Sequence, residues 1–276
     1  MLNEYCFGDI YIRHAIDDFP DDKDFSMHIH DCCEIYFFVS GEVDYLVEGS
    51  KYRLDNNNLM IMRPAESHKA KILGKKRYER YAINFPVSFV HSIDPQGRLL
   101  HPFTERALGK NNFYNAKDID TGLLSRLLYE MCYDSNDTYN RNLTITTHLW
   151  IILDMINRAF SMKGNAEYQP QSNVEQIVMY VNNHLFEELS VPALAEYFYL
   201  STSQFSRVFK QATGAAPWDY IIKKRLTAAK EKIRSGFSAQ EACETSGFKE
   251  YSAFYRAYMK HFGCSPKKDG EKIEML

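Results

Sequence analysis

The chain has 276 residues, of which 45% are hydrophobic, 25% charged and an unusually high 14% aromatic. This is a globular composition, long enough for two domains, and it contains no run of about 18 apolar residues that would span a membrane. The net charge of −3 conceals a division: residues 1–200 hold 19 Lys and Arg against 28 Asp and Glu, whereas residues 201–276 hold 14 against 8. A cationic end on an acidic body points to a polyanionic partner for that end. The opening MLNEYCFGDIYIRH lacks a basic stretch followed by an apolar core, and the six cysteines show no repeated C-x-x-C spacing. A cytoplasmic protein with reduced cysteines is the expectation.

Residues 25–90 alternate with period two, at Ile35-x-Phe37-x-Val39, Val43-x-Tyr45-x-Val47, Tyr52-x-Leu54, Leu59-x-Ile61 and Tyr81-x-Ile83-x-Phe85. Turn formers separate them at Ser40-Gly41, Glu48-Gly49-Ser50 and Asn56-Asn57-Asn58. Short strands so closely spaced predict a sandwich or small barrel. Inside this stretch HIHDCCEIYFFVSG (28–41) has the form H-x-H-x3-E-x6-G, which resembles the first cupin motif. Pro64-x-x-x-His68 resembles the second motif, one residue short of its common form. That resemblance implies a jelly roll. His28 and His30, two apart on a strand, face the same way. With Glu34 and His68 they make a ligand set that would suit iron, manganese, nickel or zinc.

From about residue 95 the pattern becomes helical. Leu123-Leu124, Leu127-Leu128 and Met131 form one amphipathic run, and Leu149, Ile152, Leu153, Ile156 and Phe160 form a second within His148–Phe160. The stretch SMKGNAEYQPQSN (161–173), polar with Gly and Pro, reads as a linker. The organisation expected is α+β with two domains: a β jelly roll plus helices over 1–165, a linker at 166–173, and an all-α domain over 174–276.

In the last part, Phe205, Val208, Phe209 and Ala212 recur at i, i+3, i+4 and i+7, one buried stripe of a helix. Ser203, Ser206, Arg207 and Lys210 form a polar stripe on the opposite side. The pattern has an echo. At a shift of 49, FSRVFKQATG (205–214) falls on FYRAYMKHFG (254–263), so that Arg207 meets Arg256 and Gly214 meets Gly263. Upstream, LAEYFYLS (194–201) falls on ACETSGFK (242–249) at a shift of 48. Ser190 with Pro192, and Ser238, are N-terminal signals for the leading helix of each unit, Val191–Tyr197 and about Ala239–Thr245. Each unit reads as helix, tight turn, helix, the tandem form of the helix-turn-helix plan. Between them a helix of about 18 residues from Pro217, roughly 27 Å long, carries Ile222, Leu226, Ala229 and Ile233 on one face. That length is comparable to the ~34 Å between successive major-groove faces of B-DNA.

Residues 174–266 resemble the DNA-binding domain of the AraC/XylS family of bacterial transcription regulators. The carrying motifs are FSRVFKQATG, the Arg-Leu-x-x-Ala spacing of IIKKRLTAAKEKI, and Gly247-Phe248, Ser252-x-Phe254 and Phe262-Gly263-x-x-Pro266 in order. The resemblance implies base reading by Ser203, Gln204, Ser206 and Arg207 in the first unit, and by Tyr251, Ser252, Tyr255 and Arg256 in the second. Lys210, Lys249 and Lys260 would serve phosphates. Two positions depart from the family pattern: Tyr258-Met259 replaces Phe-Lys, and Lys267-Lys268-Asp269-Gly270 replaces the usual Tyr-Arg after the last proline.

Jelly-roll sensors often precede such a domain, so the two resemblances support each other. Together they imply a sequence-specific regulator, a homodimer through the 95–165 helices, that responds to a small molecule of the sugar class. His28, His30, Glu34, Tyr36, His68 and Tyr81 are its candidate effector contacts. RNA polymerase is a further candidate partner. No metal, cofactor or membrane association is expected. The alternative is a metal-dependent cupin enzyme fused to DNA-binding helices, which would require the His28, His30, Glu34, His68 set to hold an ion.

Overall fold

The computed structural model describes residues 1–133, 137–163 and 173–271. By packing, the chain divides into two units, Met1–Ser26 with Cys32–Gln169 and Met27–Asp31 with Pro170–Leu276. Most of the expected linker, residues 166–172, lies outside the described residues. Among those described, no helix is long and apolar enough to cross a membrane, and no two cysteines form a disulfide.

The first unit contains β1 (Leu2–Phe7), β2 (Ile10–Asp17), β3 (Cys33–Ser40), β4 (Val43–Val47), β5 (Ser50–Arg53), β6 (Asn58–Met62), β7 (His68–Ile72), β8 (Tyr78–Phe85) and β9 (Phe113–Tyr114). Its helices are α1 (Val87–His91), α2 (His101–Thr104), α3 (Thr121–Tyr133) and α4 (Thr138–Lys163). Six strands form one sheet in the order β1-β2-β8-β3-β6-β9, and three form a second, β5-β4-β7. β1, β2 and β7 lie beyond the alternation read from the sequence. In β7, Lys69 and Lys71 alternate with His68, Ala70 and Ile72, of which only Ala70 and Ile72 are apolar, and β2 buries Ile10, Ile12, His14 and Ala15 among polar neighbours. In both strands the polar members blur the period-two signal.

Successive strand residues point to opposite faces of a sheet, and the large sheet is buried on both. Tyr36 and Phe38 of β3, Met60 and Met62 of β6, and Tyr78 of β8 point toward the small sheet, where they meet Val43, Tyr45, Val47 and Ala70. Ile35, Phe37, Leu59, Ile61, Tyr81, Ile83 and Phe85 point the other way. They pack under the amphipathic faces of α3 and α4, through Leu124, Leu128, Leu149, Ile152, Leu153 and Ile156. At about 1.5–3 kcal/mol for each large apolar side chain buried, the two layers hold the sheet from both sides.

One polar knot lies within this unit. Glu66 is fully buried and accepts two bonds from the Arg106 guanidinium, at 2.7 and 2.6 Å, one from Gly109 N at 2.8 Å and one from Asn112 Nδ2 at 3.0 Å. Burial alone would raise the Glu66 carboxyl, but the charge and hydrogen bonds of Arg106 outweigh it and bring it down to about 2. The knot ties the turn before β7 to the segment leading into β9. Glu66→Gln leaves the Arg106 charge buried without its counter-ion and is expected to cost about 3–5 kcal/mol at pH 7. Because the folded carboxyl is depressed, its contribution is present above the unfolded carboxylate range and is lost as pH falls from about 4.5 toward 2. In urea denaturation the gap between wild type and Glu66→Gln should therefore narrow on going from pH 6 to pH 3.

The second unit is helical, with α5 (Asn173–Asn183), α6 (Val191–Tyr197), α7 (Thr202–Thr213), α8 (Pro217–Arg234), α9 (Ala239–Thr245), α10 (Tyr251–Phe262) and α11 (Pro266–Glu271). Local chemistry fixes most ends. Ser201 caps α7 and Ser238 caps α9, each in a reciprocal box with the residue three on, Gln204 and Glu241. Gly214 closes α7 at φ 81°, in the left-handed region where a Cβ would be strained. α8 belongs to two cores. Tyr220 and Ile221 pack with α5, α6 and α7 around Phe205 and Phe209, while Leu226, Ala229 and Ile233 pack with α9 and α10 around Phe254 and Tyr258.

Arg225 lies between those cores, 5% exposed. It donates to Leu185 O at 2.7 Å, Glu187 O at 2.6 Å and Gly247 O at 2.7 Å, joining the loop before α6 to the turn between α9 and α10. A Cβ on Gly247 would lie 3.0 Å from the guanidinium, and its φ is +80°. Arg225→Met removes three charge-assisted bonds, each worth about 1.5–3 kcal/mol and partly offset by relaxation. A loss of at least about 3 kcal/mol in chemical denaturation is expected. Gly247→Ala should destabilise by about 1–2 kcal/mol through the left-handed backbone.

Candidate DNA-reading faces and effector site

The two echoing segments are α7 and α10, each the second helix of a helix-turn-helix. On α7, Phe205, Phe209 and Thr213 are buried. Ser203, Gln204, Arg207 and Lys210 are exposed, and Ser206 is half-buried. On α10, Phe254 and Tyr258 are buried, leaving Tyr251, Ser252, Tyr255, Arg256 and Lys260 exposed. Each helix therefore shows one polar face with an arginine at its middle.

Several side chains of this set already have local duties. Gln204 Oε1 accepts from Ser201 N at 3.1 Å and from Ser201 Oγ at 2.9 Å, so the amide oxygen is engaged in the cap. Lys249 pairs with Glu188 at 2.5 Å, both largely exposed; such surface pairs contribute about 0–1 kcal/mol and yield to a competing anion. Where the sequence departs from the family pattern, the Tyr258 hydroxyl donates to the buried Asp269 at 2.8 Å, which binds α11 to α10. Tyr258 is a core residue.

In the first unit, the inner faces of the two sheets bring together a polar group inside an aromatic one. Glu34 and His68 bridge the sheets, with Oε2 and Nε2 3.0 Å apart and both side chains buried. His68 Nδ1 lies 2.9 Å from Glu66 O. Burial pulls the His68 imidazole down, but the neighbouring Glu34 carboxylate prevails and raises it. The Tyr45 ring stacks over His68 at 6.1 Å and lies 4.6 Å from Tyr36. The hydroxyls of Tyr36 and Tyr78 share a hydrogen bond. Arg80 sits 4.2 Å above the Tyr78 ring and pairs with Asp17. Burial pushes Tyr36 and Tyr45 well above the ordinary phenol range, so both are neutral hydroxyls.

Of the expected effector contacts, Glu34, Tyr36 and His68 fall in this group and Tyr81 does not. Tyr81 faces the helices, stacked 4.0 Å from His14, whose Nδ1 is 2.6 Å from the Tyr133 hydroxyl. β8 aligns Tyr81 with Phe37 and Ala82 with Tyr36, so one step along the strand exchanges faces. Tyr45, Tyr78 and Arg80 take its place. The signal was available in the alternation of β4 and in the offset of β8. His28 and His30 lie on Met27–Asp31, the segment that packs with the second unit, and their rings stack 5.7 Å apart.

Residues 10–132 match the family profile described as an AraC-like ligand binding domain, and residues 194–271 match a helix-turn-helix domain. Among curated relatives, the probable transcriptional regulator LumQ of Photobacterium leiognathi is 32% identical over 35% of this chain, covering 39% of LumQ. The HTH-type transcriptional activator RhaS of Salmonella arizonae is 23% identical over 93% of this chain and 95% of its own length. The solved DNA-binding domain of AdpA, in complex with a target DNA, covers 38% of this chain and 96% of that domain at 25% identity, with a TM-score of 0.37. With a ligand-binding domain ahead of a helix-turn-helix domain, the chain belongs to the AraC family of transcription regulators.

Proposed function

We propose that this protein reads a specific duplex sequence through α7 and α10 together and adjusts that reading to a small polar molecule bound between the sheets of the first unit. The observation that carries the DNA half is the matched pair of exposed polar faces, each centred on an arginine and mounted on one rigid helix. Arg207 and Arg256 suit bidentate contact with guanine O6 and N7. Lys210, Lys249 and Lys260 suit phosphates, which supply affinity without sequence information. Sequence preference of the full-length protein is to be determined first by selection from random duplexes. On the selected site Arg207→Ala should lose about 1–3 kcal/mol and relax the preference in one half only. Uniform weakening on all sequences would assign Arg207 to the backbone, and absence of binding at low salt by folded protein would remove the function.

For the effector, aromatic rings beside neutral hydroxyls, a carboxylate and an arginine suit a polyhydroxylated molecule: rings cover the apolar C–H faces, and the polar groups meet its hydroxyls. A carbohydrate or sugar derivative is the proposed class. Hydrogen bonding to the effector is the role proposed for Glu34 and His68. The family consists of regulators, and the cupin-enzyme alternative falls away with it. A homodimer is proposed through α4, where Leu143, Thr147 and Ile151 are exposed at successive turns.

Thermal-shift screening of sugars and sugar phosphates against the full chain tests the effector class. A ligand at 100 times its Kd should stabilise by about 2.7 kcal/mol, and Tyr36→Phe, which keeps the ring and removes the hydroxyl, should weaken it. By linkage, saturating operator must change effector affinity by the factor by which effector changes operator affinity, typically about 5–150-fold. Equal effector affinity with and without operator would uncouple the two sites.

A further inference from the structure

The second unit contains a cleft lined by neither Arg207 nor Arg256. It occupies about 750 Å³ between the loop before α6, the first half of α8, the α9–α10 turn and α10. Its floor and walls are apolar, with Trp218 and Ile222 of α8, Phe248 of the turn, and Ala253 and Ala257 of α10. Trp218 is 46% exposed, a large indole face left open in a chain with only two tryptophans.

The rim has the opposite character to the unit around it. Residues 201–276 hold 14 Lys and Arg against 8 Asp and Glu, yet the cleft is edged by Glu187, Glu188, Glu244 and Glu250. Its two basic side chains are both engaged: Lys249 with Glu188 at 2.5 Å, and Arg225 with three backbone carbonyls. The rim is therefore net negative, which favours a cationic over an anionic occupant. A volume within the 300–1,000 Å³ common for small-molecule sites, mostly apolar with a few polar groups at the edge, has the proportions of a ligand pocket. An indole beside carboxylates attracts a cation by its ring face as well as by charge.

We propose that this cleft is a second ligand site, separate from the sensor, for an amphiphilic organic cation: a flat or bulky apolar body bearing a positive charge. The body lies against Trp218, Ile222 and Phe248, and the charge faces Glu187, Glu244 and Glu250. Since the walls come from the loop before α6, from α8 and from the second helix-turn-helix unit, an occupant braces that loop and α8 against α10 and shifts the spacing of α7 and α10. That regulatory consequence rests on the DNA-reading function proposed above; the binding itself does not.

The test uses full-length protein carrying Trp150→Phe, so that Trp218 is the sole indole, and two probes of matched shape and opposite charge, tetraphenylphosphonium and tetraphenylborate. Saturable change in Trp218 emission with the phosphonium is expected, at an affinity about tenfold or more above that for the borate. The surface pair Glu244→Gln with Glu250→Gln should reduce phosphonium affinity by about tenfold and leave the unfolding midpoint in place. Borate binding equal to or tighter than phosphonium, no Trp218 response at millimolar phosphonium, or a double variant with unchanged affinity would each overturn the site. DNA binding is measured in parallel. A Trp218 response in protein that binds no duplex keeps the site and removes the regulator; intact duplex binding without a Trp218 response removes the site alone.

Discussion

A single buried guanidinium determines whether the helical unit is one body or two. Among the described residues Arg225 has no carboxylate partner. Its three acceptors are backbone carbonyls from two separate connections, at Leu185, Glu187 and Gly247. Side chains can be exchanged in evolution, but carbonyls are present in every sequence, so this joint constrains backbone position rather than residue identity. Taking the guanidinium out of water lowers its basicity through burial, and only well-aimed acceptors offset that cost. The close approach then excludes a Cβ at residue 247, and the left-handed turn follows. The placement of α10 relative to α7 depends on this arrangement together with the two cores of α8.

The first unit meets its constraint differently. A sheet buried on both faces cannot use the polar-out alternation that identifies a solvated strand, and β3 and β6 are accordingly buried along nearly their whole length. The distinction between the faces then lies in what kind of residue is buried. Toward the helices, β8 contributes Tyr81, Ile83 and Phe85 to an apolar layer; toward the small sheet, it contributes Tyr78 and Arg80 to a group that includes Glu34 and His68. Charge inside a protein needs a partner, and here the pairs run across the gap between sheets, as in Glu34–His68, or along the sheet, as in Arg80–Asp17.

The helical unit was almost wholly legible because its signals are local. Capping serines, Gly214 and Gly263, and a stripe repeated after 49 residues locate α6, α7, α9 and α10 without any knowledge of distant contacts. What remained hidden was α5, which no motif marked, and α11 with its tie, since nothing within PKKDGE announces that Asp269 is buried against Tyr258. In the sheet unit the strands with clean alternation were legible, and the face of each residue was not always. Tyr81 and Tyr36 both read as pocket residues until the register of β3 with β8 separated them. The Glu66–Arg106 pair spans 40 residues. Such a contact leaves no trace in periodicity, because it is decided by which loops the sheet order brings together.

Gln204 lies on the proposed DNA-reading face and also caps the helix that carries it. Its amide oxygen is committed to Ser201, so the face of α7 presents the amide nitrogen of this residue as a donor and withholds the acceptor. A two-pronged grip on adenine, which needs both, is closed to it unless the cap opens. Any lineage that changes its preferred site by replacing this glutamine also changes how well the helix begins. On the proposed reading, drift in specificity at this position is tethered to drift in stability, and new operators are more accessible through Arg207, which carries no part of the reciprocal cap.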